Sequence, residues 1–252
     1  MEIVSAALLE SHAPTTPTRQ VGVVLVHGMR QDGSAWARQV DHLEALGHSA
    51  VAVDLPGHGR RMSERFSFRR AWDHLDDAVA SFPRDTPVMM VGQSLGGYVS
   101  LGWAAQRTTP DEDRPLLGVV ASGCSTEPRG KPVRLYRDVA DGLVRAGSSV
   151  MRRLAPGAGN DRDDRPGWDL VTDALGELSG WSALADLEAV DVPVWLVNGA
   201  RCHLRWQEQR FARTADRGAL VVVPGIGHDV HLDAPDDYNR VLSRALADFA
   251  RD

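Results

Sequence analysis

Gly92-Gln93-Ser94-Leu95-Gly96-Gly97 follows directly on the apolar run Pro87-Val88-Met89-Met90-Val91. The run reads as a buried strand and the segment from Leu95 reads as a helix, so a G-x-S-x-G sequence stands at a strand-to-helix turn. A turn that tight needs small residues two before and two after the serine, because side chains there would collide. It lifts the serine to the top of the turn, hydroxyl exposed, at the positive end of a helix. The pattern by itself is weak in a chain of 252 residues with 24 glycines, and a merely structural glycine turn is the competing reading. Context separates the two: strand before, helix after, and Ser94 as a candidate nucleophile between them.

Outward from this turn, short Val-rich runs alternate with longer amphipathic segments. The expected strands are Val21–Val26, Ser49–Val53, Pro87–Val91, Leu116–Ala121, Pro193–Val197 and Ala219–Val223, each nearly continuous in apolar residues. Such runs belong to a parallel sheet covered on both faces. The expected helices are Ser34–Leu46, Arg69–Ser81, Leu95–Arg107, Arg205–Ala215 and Pro235–Ala250. In the last, Tyr238, Val241, Leu242, Ala245, Leu246 and Phe249 form one apolar stripe at helical spacing. The alternation predicts an α/β fold with a doubly wound, mostly parallel central sheet and right-handed crossovers. Ligands then sit beyond the carboxyl ends of the strands.

One interval breaks the rhythm. Residues 125–187 contain helix-like pieces (Val133–Ala146, Ser148–Leu154, Trp168–Leu178) around a polar stretch from Pro156 to Gly167, and no strand. An insertion of that length at the carboxyl edge predicts a helical cap within a single domain spanning residues 1–252. Trp168, Trp181, Leu170 and Leu178 are candidate pocket residues, with cap core as the plainer role for each.

Composition narrows the classes. Hydrophobic residues at 43% and charged residues at 25% suit a globular protein with a real core, and a formal net charge of −6 argues against a nucleic-acid partner. Arg60-Arg61 and Arg69-Arg70 could line a mouth for an acidic substrate, although a solvated basic face is the simpler account. Two cysteines, Cys124 and Cys202, offer neither a disulfide framework nor metal-ligand spacing. No stretch approaches the length of a membrane span. Ile3 to Leu9, flanked by Glu2 and Glu10, lacks a basic leader and reads as an edge strand rather than a signal peptide. These features predict a cytoplasmic protein.

Acyl transfer at a serine needs two preorganised N–H donors for the developing oxyanion. The amide of Leu95, next after Ser94, is one candidate. Met29, where the backbone turns away after His27-Gly28, is the other. Asp54-Leu55-Pro56-Gly57-His58-Gly59 reads as a turn supporting the site wall. A base is expected on the loop after the last strand, and Pro224-Gly225-Ile226-Gly227-His228 provides it, since imidazole can take and return a proton near neutrality. His231 competes locally. His228, His231 and Asp233 have a loose likeness to a metal cluster, but no third ligand stands at a sensible spacing, so neither metal nor cofactor is expected.

Taken together, His27-Gly28 with Trp36, the Asp54–Gly59 turn, the Gly92–Gly97 elbow and the Gly225–Pro235 segment resemble the α/β-hydrolase superfamily, in its capped branch. The matches fall in family order from Val21 to Phe249. The resemblance implies a serine hydrolase acting on a carboxylic ester, lactone or thioester of a small, fairly apolar molecule. The family also holds carbon–carbon hydrolases and a few lyases, so the fold is implied more sharply than the reaction. Lyase, cyclase or acyl-transfer chemistry is the alternative, as is a non-catalytic ligand-binding protein.

One departure stands out. Where the family usually reads Gly-x-x-Asp after the run Pro193–Val197, this chain reads Gly199-Ala200-Arg201-Cys202. A thiol with an ordinary pKa of about 8.5 stays neutral at pH 7 and cannot support an imidazolium as a carboxylate does. Three explanations compete: a carboxylate from another loop, with Glu127 as the candidate; a Ser94–His228 dyad; or a site repurposed for chemistry without acylation.

Overall fold

The computed structural model describes residues 2–5, 19–107, 114–130 and 167–250, with side chains from residue 19 onward except at 167–169. Seven strands form one sheet: β1 (Glu2–Ser5), β2 (Gly22–Val26), β3 (Ser49–Val53), β4 (Val88–Gln93), β5 (Leu116–Ser122), β6 (Val194–Gly199) and β7 (Gly218–Val223). Their order is β1-β7-β6-β5-β4-β2-β3, and every neighbouring pair is parallel. The N-terminal edge strand exists, with Glu2 to Ser5 pairing Ala219 to Val222. Residues 6–9 of that expectation lie outside the described residues.

The helices are α1 (Ala37–Ala45), α2 (Phe68–Ala80), α3 (Leu95–Ala105), α4 (Gly167–Gly180), α5 (Ala183–Ala189), α6 (Glu208–Thr214), α7 (Val230–Asp233) and α8 (Pro235–Phe249). A 3-10 turn at Gly33–Trp36 leads into α1, capped by the Asp32 side chain on the Ser34 amide.

Period-two alternation along each strand builds two cores. Val24, Val26, Met90, Val119, Leu196 and Leu220 pack with α2, α3 and α6 on one face. Val23, Leu25, Met89, Val120, Trp195 and Val221 pack with α1 and α8 on the other. This is why the inner strands read as unbroken apolar runs: each residue of β2, β4 and β6 is buried whichever way it points. Helix α3 is apolar all round and buried from Leu95 to Ala104, because β4 and β5 lie beneath it and α2 and α5 beside it.

Between β5 and β6, the expected pieces Val133–Ala146, Ser148–Leu154 and nearly all of Pro156–Gly167 lie outside the described residues. The third piece is helical and falls within α4. Glu177 of α4 accepts from the Phe68 amide at 3.1 Å, and Asp173 takes a two-pronged bond from Arg65 at 2.9 and 2.6 Å. Leu170 and Leu178 are buried in the core, and Trp181 stacks on Phe68 with ring centroids 4.6 Å apart. All three are packing side chains. The side chain of Trp168 lies outside the description.

Gly118 of β5 faces α8 so closely that a Cβ there would stand 2.5 Å from the Phe249 ring. We expect Gly118→Ala to cost about 1–3 kcal/mol by overpacking, read as a drop of several degrees in Tm. Adding Phe249→Leu should recover part of that loss, because the conflict is with the ring.

Candidate active site

The β4–α3 turn holds Ser94 at φ 52°, ψ −115°, a left-handed conformation that costs a non-glycine residue about 1–3 kcal/mol. The turn closes because its neighbours lack side chains. A Cβ on Gly92 would collide with the carbonyl of Gly96, and one on Gly96 with the carbonyls of Val26 and His27. The Ser94 amide donates to Ser122 O at 2.7 Å, which fastens the turn to the end of β5. Ser94 is half-exposed while Gly92, Gln93, Leu95 and Gly96 are buried, so the elbow offers this one side chain to the surface.

The turn after β2 is braced from the side. His27 Nδ1 donates to Gly28 O at 2.8 Å and its Nε2 accepts from the Leu55 amide at 3.0 Å. His58 Nδ1 donates to Pro56 O, and its Nε2 accepts from the Arg30 amide at 3.1 Å. Burial first of all lowers both imidazoles, His27 to about 4, so both stay neutral and act as braces. His58 is buried, in keeping with a wall role rather than a substrate contact. Within the turn, Gly28 N bonds Gln31 Oε1, Arg30 N bonds His58 and Gln31 N bonds Gly28 O. The Met29 amide is the one left without an acceptor among the described residues. Leu95 opens α3, so its amide is one of the N-terminal donors that no carbonyl of its own helix takes.

Asp54 supports the same wall. Burial pushes its carboxyl up, but the Gly33 and Arg60 amides and the Arg60 guanidinium outweigh that and hold it below the usual range. Arg60 is therefore paired, as are Arg61 with Glu64 and Arg69 with Asp73, while Arg70 donates to Arg65 O. These arginines serve local ion pairs and loop contacts.

The loops after β6 and β7 are laced together. Ala200 N bonds Val223 O, Arg201 N bonds Ile226 O, and Gly199 lies so close to the Gly227 carbonyl that no Cβ fits. That packing brings Cys202 Sγ to 3.1 Å from His228 Nδ1. The sulfur also accepts from the Leu204 amide at 3.4 Å. Burial raises the Cys202 thiol, keeping it protonated at neutral pH. Burial, helped by His203, lowers His228 to about 4, against an upward pull from Asp229. The His203 and His228 rings are 4.6 Å apart. His228 sits over Gly123, where a Cβ would meet the imidazole at 3.1 Å, one residue beyond the carbonyl that holds Ser94. Ser94 and His228, remote in sequence, thus share the carboxyl edge of β4 and β5.

Glu127 is not at the histidine. Its Oε2 accepts from the Leu184 amide at 3.0 Å, opening α5, and its Oε1 from the Arg129 amide at 3.3 Å. The relocated-acid expectation for Glu127 is therefore overturned: the residue that meets Nδ1 is Cys202. His231 is buried against Trp36 with centroids 4.2 Å apart, and neither ring nitrogen has a partner among the described residues. It is a core side chain.

Sequence reading missed Gln31, Gln93 and Asp229. Asp229 Oδ1 accepts from Gln93 Nε2 at 3.0 Å and from Gln31 Nε2 at 3.1 Å. Gln93 stands inside the elbow motif and Asp229 next to His228, but no periodicity or spacing signals that three separate loops meet.

Comparison with known proteins places this fold. A family model described as the alpha/beta hydrolase family matches residues 23–241. Pimeloyl-[acyl-carrier protein] methyl ester esterase of Chromobacterium violaceum is 30% identical over 251 residues, covering 89% of this chain and 93% of that protein. Polyneuridine aldehyde esterase of Rauvolfia serpentina is 36% identical over 104 residues; that match spans 40% of this chain and only 39% of the esterase. Among solved structures, a thermophilic esterase from Thermogutta terrifontis has a TM-score of 0.67 at 20% identity, covering 92% of this chain and 91% of its own, which speaks to the fold. Among the described residues, no helix is long and apolar enough to cross a membrane.

The buried histidines make stability pH-dependent. Their folded pKa values lie below the ordinary value, so the unfolded chain binds more protons, and stability falls as pH drops from about 6.5 toward 4. His231, lowered to about 4 chiefly by burial, accounts for one share. We expect His231→Phe, which keeps the Trp36 contact, to remove roughly 3 kcal/mol of that fall. Denaturant melts at pH 7.5 and 4.5 measure it; equal pH dependence in both proteins contradicts the assignment.

Proposed function

The chain belongs to the alpha/beta hydrolase family, and from that premise we propose a serine hydrolase that cleaves a carboxylic ester, lactone or thioester of a small, fairly apolar molecule. The observation that carries the reading is Ser94 itself: a half-exposed hydroxyl on a strained turn, at the N-terminus of a buried helix. Strain of that kind persists where surrounding structure over-determines it, and here Gly92 and Gly96 do so.

In this mechanism Ser94 Oγ attacks the acyl carbon while His228 takes its proton. The neutral imidazole receives that proton on Nε2, so Nδ1 carries the ring hydrogen and donates it to Cys202 Sγ. The amides of Met29 and Leu95 hold the oxyanion as the carbonyl carbon becomes tetrahedral. His228 then protonates the leaving group, and water completes the cycle through the same histidine. Cys202 fixes the ring's tautomer and orientation but brings no charge. Loss of the orienting carboxylate costs on the order of 10⁴ in turnover elsewhere, which suits substrates with good leaving groups.

We assign residues 125–187 to a cap that selects the substrate, supported by the docking of α4 and α5 on α2 and α3. Two buried, unpaired thiols support a reducing, cytoplasmic setting. The Cys202 substitution also favours a second reading, an acyl-transfer or lyase enzyme on the same frame, for which simple esters are poor substrates.

Four measurements test the proposal. A fluorophosphonate probe should label wild-type protein and leave Ser94→Ala unlabelled. On p-nitrophenyl butyrate, Ser94→Ala and His228→Ala should each abolish turnover, and the double variant should lose little more, because the pair acts as one unit. Full activity in a folded Ser94→Ala protein rejects the assignment. With His228 lowered to about 4, kcat/KM should run flat from pH 5.5 to 8, without an inflection near 6.5. Cys202→Asp should raise turnover by up to a few orders of magnitude, bounded by the same ~10⁴, and move the acid limb upward.

A further inference from the structure

We propose that Asp229 is the positioning residue that stands in for the missing triad carboxylate: clasped between Gln31 and Gln93, it fixes negative charge beside His228 and joins the three loops of the site. The inference rests on the Ser94–His228 reading above.

The clasp is continuous. Gly28 N donates to Gln31 Oε1 at 3.2 Å, and Gln31 Nε2 donates to Asp229 Oδ1 at 3.1 Å. Gln93 Nε2 donates to the same oxygen at 3.0 Å and to the His228 carbonyl at 3.3 Å. Gln93 immediately precedes Ser94 and is wholly buried. Gly28 lacks a side chain where Gln93 Oε1 lies, since a Cβ there would collide with it. One carboxylate oxygen thus connects the oxyanion turn, the nucleophile turn and the histidine loop. Groups that must hold a reacting atom within a fraction of an ångström gain from such support.

Charge gives the second reason. When His228 takes the serine proton it becomes a cation in a half-buried place, and its neighbours decide what that costs. Cys202 meets Nδ1 as a neutral thiol. His203 packs at a tilt against the ring and opposes its protonation, and His231 lies three residues further on. Asp229 is the neighbour that pulls the imidazole toward its charged form; it also opposes ionisation of the thiol. A half-buried carboxylate beside a developing cation acts through space without touching the ring. Asp229 therefore does electrostatically, from the next residue in the chain, part of what a triad carboxylate does by contact.

Because a single oxygen accepts both bonds, Asp229→Asn can keep the clasp with its amide oxygen while losing the charge, and Asp229→Ala loses both. Wild type and both variants are compared for kcat, KM and the rate of fluorophosphonate labelling from pH 5.5 to 9, each also in a Cys202→Asp background. Asp229→Asn should lower kcat and the labelling rate together, about tenfold or more for one pKa unit of lost interaction, with KM within about twofold. Asp229→Ala should fall further. In the Cys202→Asp background, Asp229→Asn should cost less than about threefold, since a carboxylate at Nδ1 then supplies the charge. Wild-type kcat in Asp229→Asn, or the same loss in both backgrounds, overturns the proposal while leaving the hydrolase reading standing. Wild-type protein that neither labels at Ser94 nor turns over an ester removes both. If Asp229→Ala does not fold, the Asn pair carries the test.

Discussion

The approach of helix α3 to the ends of β2 and β4 is the constraint on which everything else in this protein depends. Gly96 lies against the carbonyls of Val26 and His27, and Gly92 against that of Gly96. Those contacts force Ser94 into a left-handed backbone and set the first turn of a buried helix under it. They also seat the proposed oxyanion turn, because the carbonyls that Gly96 touches lie where β2 leads into His27-Gly28-Met29. A single side-chain atom on either glycine would separate donor turn from nucleophile. The sheet is built to make that approach possible, with its most buried strands beneath it.

Around this rigid centre burial keeps three imidazoles neutral. His27, His228 and His231 are all lowered to about 4, each mainly by burial. They differ in what they touch. His27 spends both nitrogens on backbone, His231 spends none among the described residues, and His228 meets a thiol. A ring with both nitrogens engaged is a brace, and a ring packed at a tilt against Trp36 is filler. His228 alone combines partial exposure with a partner at Nδ1, which leaves its other nitrogen for chemistry. Environment, not residue type, divides the labour.

How much of this could be read beforehand follows from how local each signal is. Strands covered on both faces announce themselves as Val-rich runs, and the strand–glycine–serine–glycine–helix order carries its own sterics. The edge strand near Ile3 and the helix around Trp168–Leu178 were legible for the same reason. Glu127 was misjudged because a carboxylate just past β5 is near the site in chain order, yet its oxygens face the first turn of α5. Which way a loop side chain turns depends on donors supplied by a distant segment. Asp229 was overlooked for the mirror-image reason: its partners, Gln31 and Gln93, become neighbours only through β2 and β4. Cys202, by contrast, was readable as a departure, and the structure gives it the contact with His228.

The strand order has a consequence for biogenesis. Glu2 pairs with Ala219, so β1 has no partner until β7 has been made. Chains emerge from the ribosome N-terminus first, and long-range parallel pairing closes late. A nascent chain that has completed β2 to β5 already owns the elbow and the turn of Gly28 and Met29. It lacks Cys202 and His228, which follow β6 and β7. On the proposed mechanism the serine is therefore assembled before its base, because His228 follows β7, the strand that also joins β1 to β6. Until then the growing polypeptide carries the proposed nucleophile without its proposed base, and the sheet closes before the hydroxyl can become reactive.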